Sequence, residues 1–337
     1  MLKQGHLLLR LSKVLICTFK GFRGYLVAHR NFKIPWNLED CCPCGSNNSF
    51  GNCCFDKNFG FKARRPNLKP TGECTGYRNP RCYLGVSANC SKEISKEHYI
   101  SHSLLKQFER LRVTGIPWDP NPIELPAKKL TSKILCQRHN NALSKLDAEA
   151  GRFFEAIDDA MKHASEKSLS RKAKNFLLNG DAFELWGVKT IAGLYHAKVS
   201  QAHGQILKGK YSISDSTIST SLMGRGLPQP LGLYIGQAGN AILPSLKFSP
   251  FISEKLALTS GLKVIMAGAE FDFLIDTNGA NSSFLHNNRY YRPSMVEIIG
   301  ARRNARIFLT WANDLGVIKK AVTLNLSKFK RPNPDFF

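Results

Sequence analysis

Nine of the ten cysteines in this 337-residue chain fall between Cys41 and Cys136, and none follows. Thiols crowded this closely either cross-link or bind metal, and both outcomes dictate where the backbone can go. The apolar stretch Leu7 to Cys17 is broken by Arg10 and Lys13, and no small-residue cleavage site follows it. Without a secretory signal the cluster reads as metal binding rather than disulfides.

Two constellations stand out. Cys42-Pro43-Cys44 and Cys53-Cys54 flank the loop 45–52, so two close pairs can surround one tetrahedral zinc with four thiolates. Gly45 and Gly51 permit the tight turns this needs, and Cys41 is a spare thiol. Cys82 and Cys90 are separated by seven residues, and Cys136 and His139 by two. All four are zinc-ligand types, which makes two structural Zn²⁺ ions the expectation. Should His139 serve a second metal, Cys74 is the thiol left to complete the zinc set.

The charge points to a partner. Forty-eight Lys and Arg against 25 Asp and Glu leave +23, with a pI near 9.7. Such a surplus suits nucleic acid before a membrane surface. No run reaches the ~18 apolar residues of a spanning helix, so the expectation is a cytoplasmic protein without a membrane partner. Seven Lys or Arg precede the first acidic residue, Glu39, and mark 1–36 as a loosely ordered basic extension, a targeting peptide being the other reading. Lys62, Arg64, Arg65, Lys69, Arg78 and Arg81, interleaved with Phe59, Phe61 and Tyr77, suit phosphates and unstacked bases or form a solvated linker. Arg289, Arg292, Arg302, Arg303 and Arg306 could extend that track or keep their domain soluble.

Composition and periodicity divide the chain into the extension 1–36, a zinc knuckle at 37–60, a basic linker at 61–81, a metal-finger domain at 82–164 and a C-terminal domain at 165–337. Apolar spacing predicts helices over 103–112, 142–162 and 182–207, with Trp186 in the core, and a proline-rich loop at 116–126. Strand-like runs at 231–237, 263–267, 271–275, 295–299, 306–311 and 321–326 predict a largely antiparallel sheet, hence an α+β fold. No phosphate-binding glycine loop is present. The C-terminal domain is open to substrate selection, self-association as a homo-oligomer, or regulation.

Two resemblances sharpen the functional expectation. The CPCGS opening at Cys42 to Ser46, with Cys53 and Cys54, resembles the SEC-C zinc knuckle, whose usual role implies a docking surface for a protein partner. Ser95 to Ser101 with Leu135 to Ala142, framed by the second cluster, resembles an HNH endonuclease, whose treble-clef-like ββα-metal finger often carries a structural zinc. The resemblance implies that His98 activates water and that Glu97 and Asn140, with Asn141 in reserve, hold a catalytic Mg²⁺ or Mn²⁺ on the scissile phosphate of DNA, or of RNA. Glu97 replaces the commoner aspartate, His139 a cysteine, and Thr131 or Ser132 the middle asparagine of the family motif. Restriction, phage defence and mobile elements are the settings implied. The other reading is a double-zinc nucleic-acid-binding or docking module without catalysis.

Overall fold

The computed structural model describes residues 34–57, 60–106, 111–113, 117, 121, 123–166, 173–237, 246–266, 269–278, 289–312 and 321–326. Residues 1–33 of the basic extension, Cys17 among them, and Phe59 lie outside them. In the knuckle, a one-turn helix α1 (Phe50–Cys53) leads into the short antiparallel pair β1 (Phe55–Asp56) and β2 (Gly60–Phe61). Ile34 and Trp36, assigned from sequence to the extension, pack against this unit.

The second segment pairs β3 (Ile94–His98) antiparallel to β6 (Thr131–Cys136). Between them lie a one-turn helix α2 (His102–Leu105) and the pair β4 (Leu111–Val113) and β5 (Ile123–Leu125). Among the described residues the helix expected over 103–112 is present as this one turn, and its far end, Leu111 and Arg112, is strand, paired with Leu125 and Glu124. Helix α3 (Gln137–Ser165) follows β6 directly, five residues earlier than its apolar stripe begins.

Beyond α3 come β7 (Lys174–Asn179) and α4 (Gly180–His196). The expected continuation of α4 to residue 207 is replaced by a hairpin of β8 (Gln201–Ala202) and β9 (Gln205–Ile206). His203 and Gly204 both have positive φ, the geometry of a two-residue hairpin turn. The remaining strands are β10 (Ser212–Ile213), β11 (Gly232–Gln237), β12 (Leu246–Ser253), β13 (Leu258–Met266), β14 (Ala269–Leu274), β15 (Tyr290–Tyr291), β16 (Met295–Ile299), β17 (Asn304–Thr310) and β18 (Ala321–Asn325).

They form two sheets rather than one. A six-stranded sheet runs β10-β13-β14-β11-β15 with β12 on β13, antiparallel except for the β10–β13 pair. A four-stranded sheet runs β18-β16-β17-β7, where only β16–β17 is antiparallel. Strand alternation gives this second sheet two apolar faces. Leu177, Met295 and Phe308 point to the knuckle, while Leu178, Val296, Ile307 and Leu309 join the main core with α3.

Helix α4 is buried from Gly180 to Tyr195, and its buried charges Asp181, Glu184 and Lys189 are each ion-paired. Phe183 stacks on Phe153 of α3 with ring centroids 3.7 Å apart, and Trp186 meets Phe273 of β14 edge-on. One core thus runs from Cys82 through α3 and α4 into both sheets, across the boundary placed at 164/165. Among the described residues no helix is long and apolar enough to cross a membrane.

Gly187 lies where α4 touches the ring of Phe273, and a Cβ there would sit 2.0 Å from Cδ1. Gly187→Ala should lower stability by about 1–3 kcal/mol despite alanine's better helix propensity, because the packed ring has nowhere to move. Denaturant midpoints measure this, and an unchanged midpoint would show that the interface yields.

Candidate metal centres and the Glu97 site

Both expected cysteine groupings converge in space. The ligand atoms of Cys42, Cys44, Cys53 and Cys54 lie within 4.8 Å of one another, as do those of Cys82, Cys90, Cys136 and His139. None of these thiols is in a disulfide. In the first group Cys44 and Cys53 sulfurs are 3.5 Å apart, and Cys53 and Cys54 3.7 Å. A tetrahedron with ~2.3 Å zinc–sulfur bonds has edges of about 3.8 Å, so the spacing fits the ion. Burial raises the Cys44 thiol, but hydrogen bonds from Ser46, Cys42 and Cys53 outweigh it and bring it to about 7.

Four thiolates around Zn²⁺ would leave two units of negative charge. The surroundings answer this with cations. A cavity of about 220 Å³ beside Cys44, Cys53 and Cys54 is lined by Lys62, Arg64 and Arg152, with Glu149 the acidic residue among them. The aromatic rings of Trp36, Phe50 and Phe61 seat the knuckle on Phe308 of β17, with Trp36 and Phe308 centroids 5.4 Å apart.

In the second group the imidazole Nδ1 of His139 faces the sulfurs of Cys136, Cys82 and Cys90 at 3.2, 3.5 and 3.6 Å. Ser87 Oγ sits 3.0 Å from Nε2 and donates its own hydrogen to the Leu84 carbonyl. It must therefore accept from Nε2–H, which leaves the Nδ1 lone pair for a metal. Burial, helped by Arg138, lowers His139 to about 4, so the ring is neutral as a ligand must be. Cys136 caps α3, its sulfur accepting from the His139 backbone N–H. His139 thus belongs with the three cysteines, and Cys74 stands apart, exposed and turned to the Ala88 carbonyl.

Glu97 and His98 end β3 beyond a bulge in its pairing with β6. Such irregularities re-aim side chains. The imidazole of His98 is half-buried, 5.1 Å from the ring of His102, and its Nε2 has no hydrogen-bond partner among the described residues. Burial and the neighbouring His102 lower its pKa, favouring the neutral ring. Glu97 is 4 % exposed, and its carboxylate is ion-paired with Lys189 of α4. Lys189 also donates to both carboxylate oxygens of Asp147 on α3, at 2.8 and 2.6 Å. Burial pushes Lys189 down, but Asp147 and Glu97 outweigh it and hold the ammonium above its ordinary pKa. Ser101 donates to Asp147 and accepts from Trp186 Nε1 at 2.7 Å, so Trp186 is core as expected yet also tied to this cluster.

The structure therefore brings together Glu97, Lys189, Asp147 and Ser101, with His98 adjacent. Asn140 lies half-buried on the first turn of α3, with no side-chain hydrogen bond among the described residues, and Asn141 accepts from Gln137 at 2.8 Å. A divalent ion held by Glu97 and Asn140 does not fit this arrangement, because an ammonium already neutralises the carboxylate. Asp147 and Lys189 carried no signal in the sequence, since each reads as one more charge on a helix.

Of the five C-terminal arginines, Arg302 is exposed and the other four are ion-paired. Arg292 pairs with Glu184, Arg289 with Glu270 and Asp272, Arg303 with Glu166 and Arg306 with Glu297. These four are committed to carboxylates of the protein itself. In the linker Arg65 donates to the Gly224 and Arg225 carbonyls at 3.3 and 2.7 Å, whereas Arg64, Lys69, Arg78, Arg81 and Tyr77 are exposed.

No protein family, curated protein or solved structure matches this chain. The SEC-C and HNH resemblances stand on their residues alone.

Zinc would act in both clusters as a staple, drawing distant turns together without an open coordination position. Elemental analysis should find two zinc ions per chain in protein never exposed to chelator. Cys136→Ser should lose one of them, and Ser87→Ala should weaken the same ion about 10- to 100-fold, the usual worth of a group orienting a ligand. Equal zinc affinity in wild type and Ser87→Ala would rule out the proposed tautomer control.

Proposed function

We propose that this chain is a metal-finger endonuclease of HNH type that hydrolyses phosphodiester bonds in DNA, with His98 as the water-activating base. One observation carries the reading: a neutral, half-buried imidazole, with a nitrogen unpartnered among the described residues, ends the strand pair whose other end carries Cys136 of a zinc-type cluster. In the step inferred, His98 takes a proton from water, the oxygen attacks phosphorus, and the 3′ oxygen departs and is reprotonated from solvent. The products are then a 5′-phosphate and a 3′-hydroxyl. A neutral base near working pH suits this role. The HNH resemblance adds Mg²⁺ or Mn²⁺ on Glu97 and Asn140, but no step here runs through such an ion, because Lys189 holds Glu97.

Binding would rest on exposed cations. Lys96 of β3 and Lys133 of β6 flank Glu97 and His98, and the linker adds Arg64, Lys69, Arg78 and Arg81 beside Tyr77. Each phosphate met by such a side chain releases counterions, so affinity follows salt rather than base sequence. RNA is served by the same chemistry. A cytoplasmic role in restriction or phage defence, with the knuckle docking a protein partner, completes the reading.

A second reading is favoured by the same Lys189 contact. A carboxylate committed to an internal ion pair suits a double-zinc module that binds nucleic acid without cutting it. Plasmid cleavage separates the two. His98→Ala should keep both zinc ions and DNA affinity yet lose about 10²–10⁴ in rate. Equal cutting by both proteins would remove His98 from the mechanism, and no cutting by wild type would favour the binding module. In either reading, affinity for duplex DNA should fall steeply between low and physiological salt. A flat response would point to a protein partner.

A further inference from the structure

Four elements meet at Lys189. Its ammonium comes from the third turn of α4 and is only 4 % exposed. It lies between Glu97 of β3 and Asp147 of α3, the latter bound through both oxygens. Ser101, just before α2, and Trp186, one turn earlier on α4, fix Asp147 from the other side. Of these groups, Glu97 is the carboxylate that the metal-finger reading reserves for a divalent cation. Two carboxylates converging on one buried point form a hard-cation site when that point is empty. Here the point carries a cation that is part of the chain.

The geometry points to Lys189 as the resident cation of this site: the protein takes zinc at its two cysteine clusters and no divalent ion at Glu97. The inference deepens the proposed reading by setting its cofactor requirement. Whatever chemistry His98 performs proceeds without added Mg²⁺ or Mn²⁺ at Glu97. The ammonium does not reach the substrate. Lys189 is a positioning residue that acts through Glu97 and Asp147.

Lys189 also distinguishes this cluster from a plain buried ion pair, because its removal has a specific chemical consequence. Lys189→Met keeps the apolar stem, ends one atom short of Nζ and deletes the charge. Glu97 and Asp147 are then left facing each other across a gap that a divalent ion can fill.

The test is a Mn²⁺ titration of full-length, zinc-loaded protein, read by the loss of the free-ion electron paramagnetic resonance signal. Wild type should show no specific site, with a curve superimposable on that of Glu97→Gln. Lys189→Met should gain one Mn²⁺ per chain, and Lys189→Met/Glu97→Gln should lose it. A wild-type site abolished by Glu97→Gln would overturn the inference outright. A folded Lys189→Met with both zinc ions and no Mn²⁺ site would also overturn it, since the position would then hold nothing but an ammonium. If Lys189→Met does not fold, the comparison of wild type with Glu97→Gln still decides, with Lys189→Arg expected to bind no Mn²⁺. None of these readouts needs cleavage. Failure of the nuclease reading therefore shows in the plasmid assay, and failure of the resident-cation inference shows in the titration.

Discussion

The buried ion cluster at Lys189 is the joint on which the two halves of this protein depend. Glu97 and Asp147 belong to the segment framed by the second cysteine cluster, and Lys189 to the helix at the centre of the C-terminal body. None of these charges could be buried alone. Removing one partner from such a set typically costs about 3–5 kcal/mol, because the others remain desolvated and unpaired. The cluster therefore demands that β3, α3 and α4 be in register with each other. The packing around it meets that demand with large rings: Phe153 stacks on Phe183, and Phe183 on Trp186.

The two cysteine clusters play a different part. Each can hold a local turn that has too little apolar surface to order itself, but neither places its unit in the molecule. The knuckle is placed by Trp36, Phe50 and Phe61 against Phe308, and its charge is answered by Lys62, Arg64 and Arg152. The second cluster is placed by α3, whose first turn carries His139 to the thiols and whose next six turns pack into the common core. One helix thus positions a zinc-type ligand at its start, Asp147 near its middle and the main core along its length.

Much of the metal chemistry was legible in the sequence because it is local. Cys42, Cys44, Cys53 and Cys54 lie within a span too short to separate, and the spacing of Cys136 and His139 is one turn of helix. Cys82 and Cys90 were paired with them correctly on ligand type alone. The strand at 295–299 was read at its true ends, since its apolar run is bounded by Pro293 and Gly300. Less was legible where an element's fate depends on a remote partner. The stretch 103–112 has helical spacing, yet its end pairs as a strand with 123–125. The basic residues 289–306 read as a surface because their acids, Glu184, Glu270, Asp272 and Glu166, lie far away in the chain or on another strand.

By itself the sequence determined that this chain carries two zinc-type ligand sets, a large positive surplus and an α+β body, because spacing, charge and periodicity are properties of neighbours along the chain. Only the tertiary structure decided what Glu97 faces. Lys189 follows it by more than ninety residues, and nothing in the local pattern of either residue specifies the other. A buried charge is matched by whatever group the fold brings within a few ångströms. That choice belongs to the packing of β3, α3 and α4, not to any segment read alone.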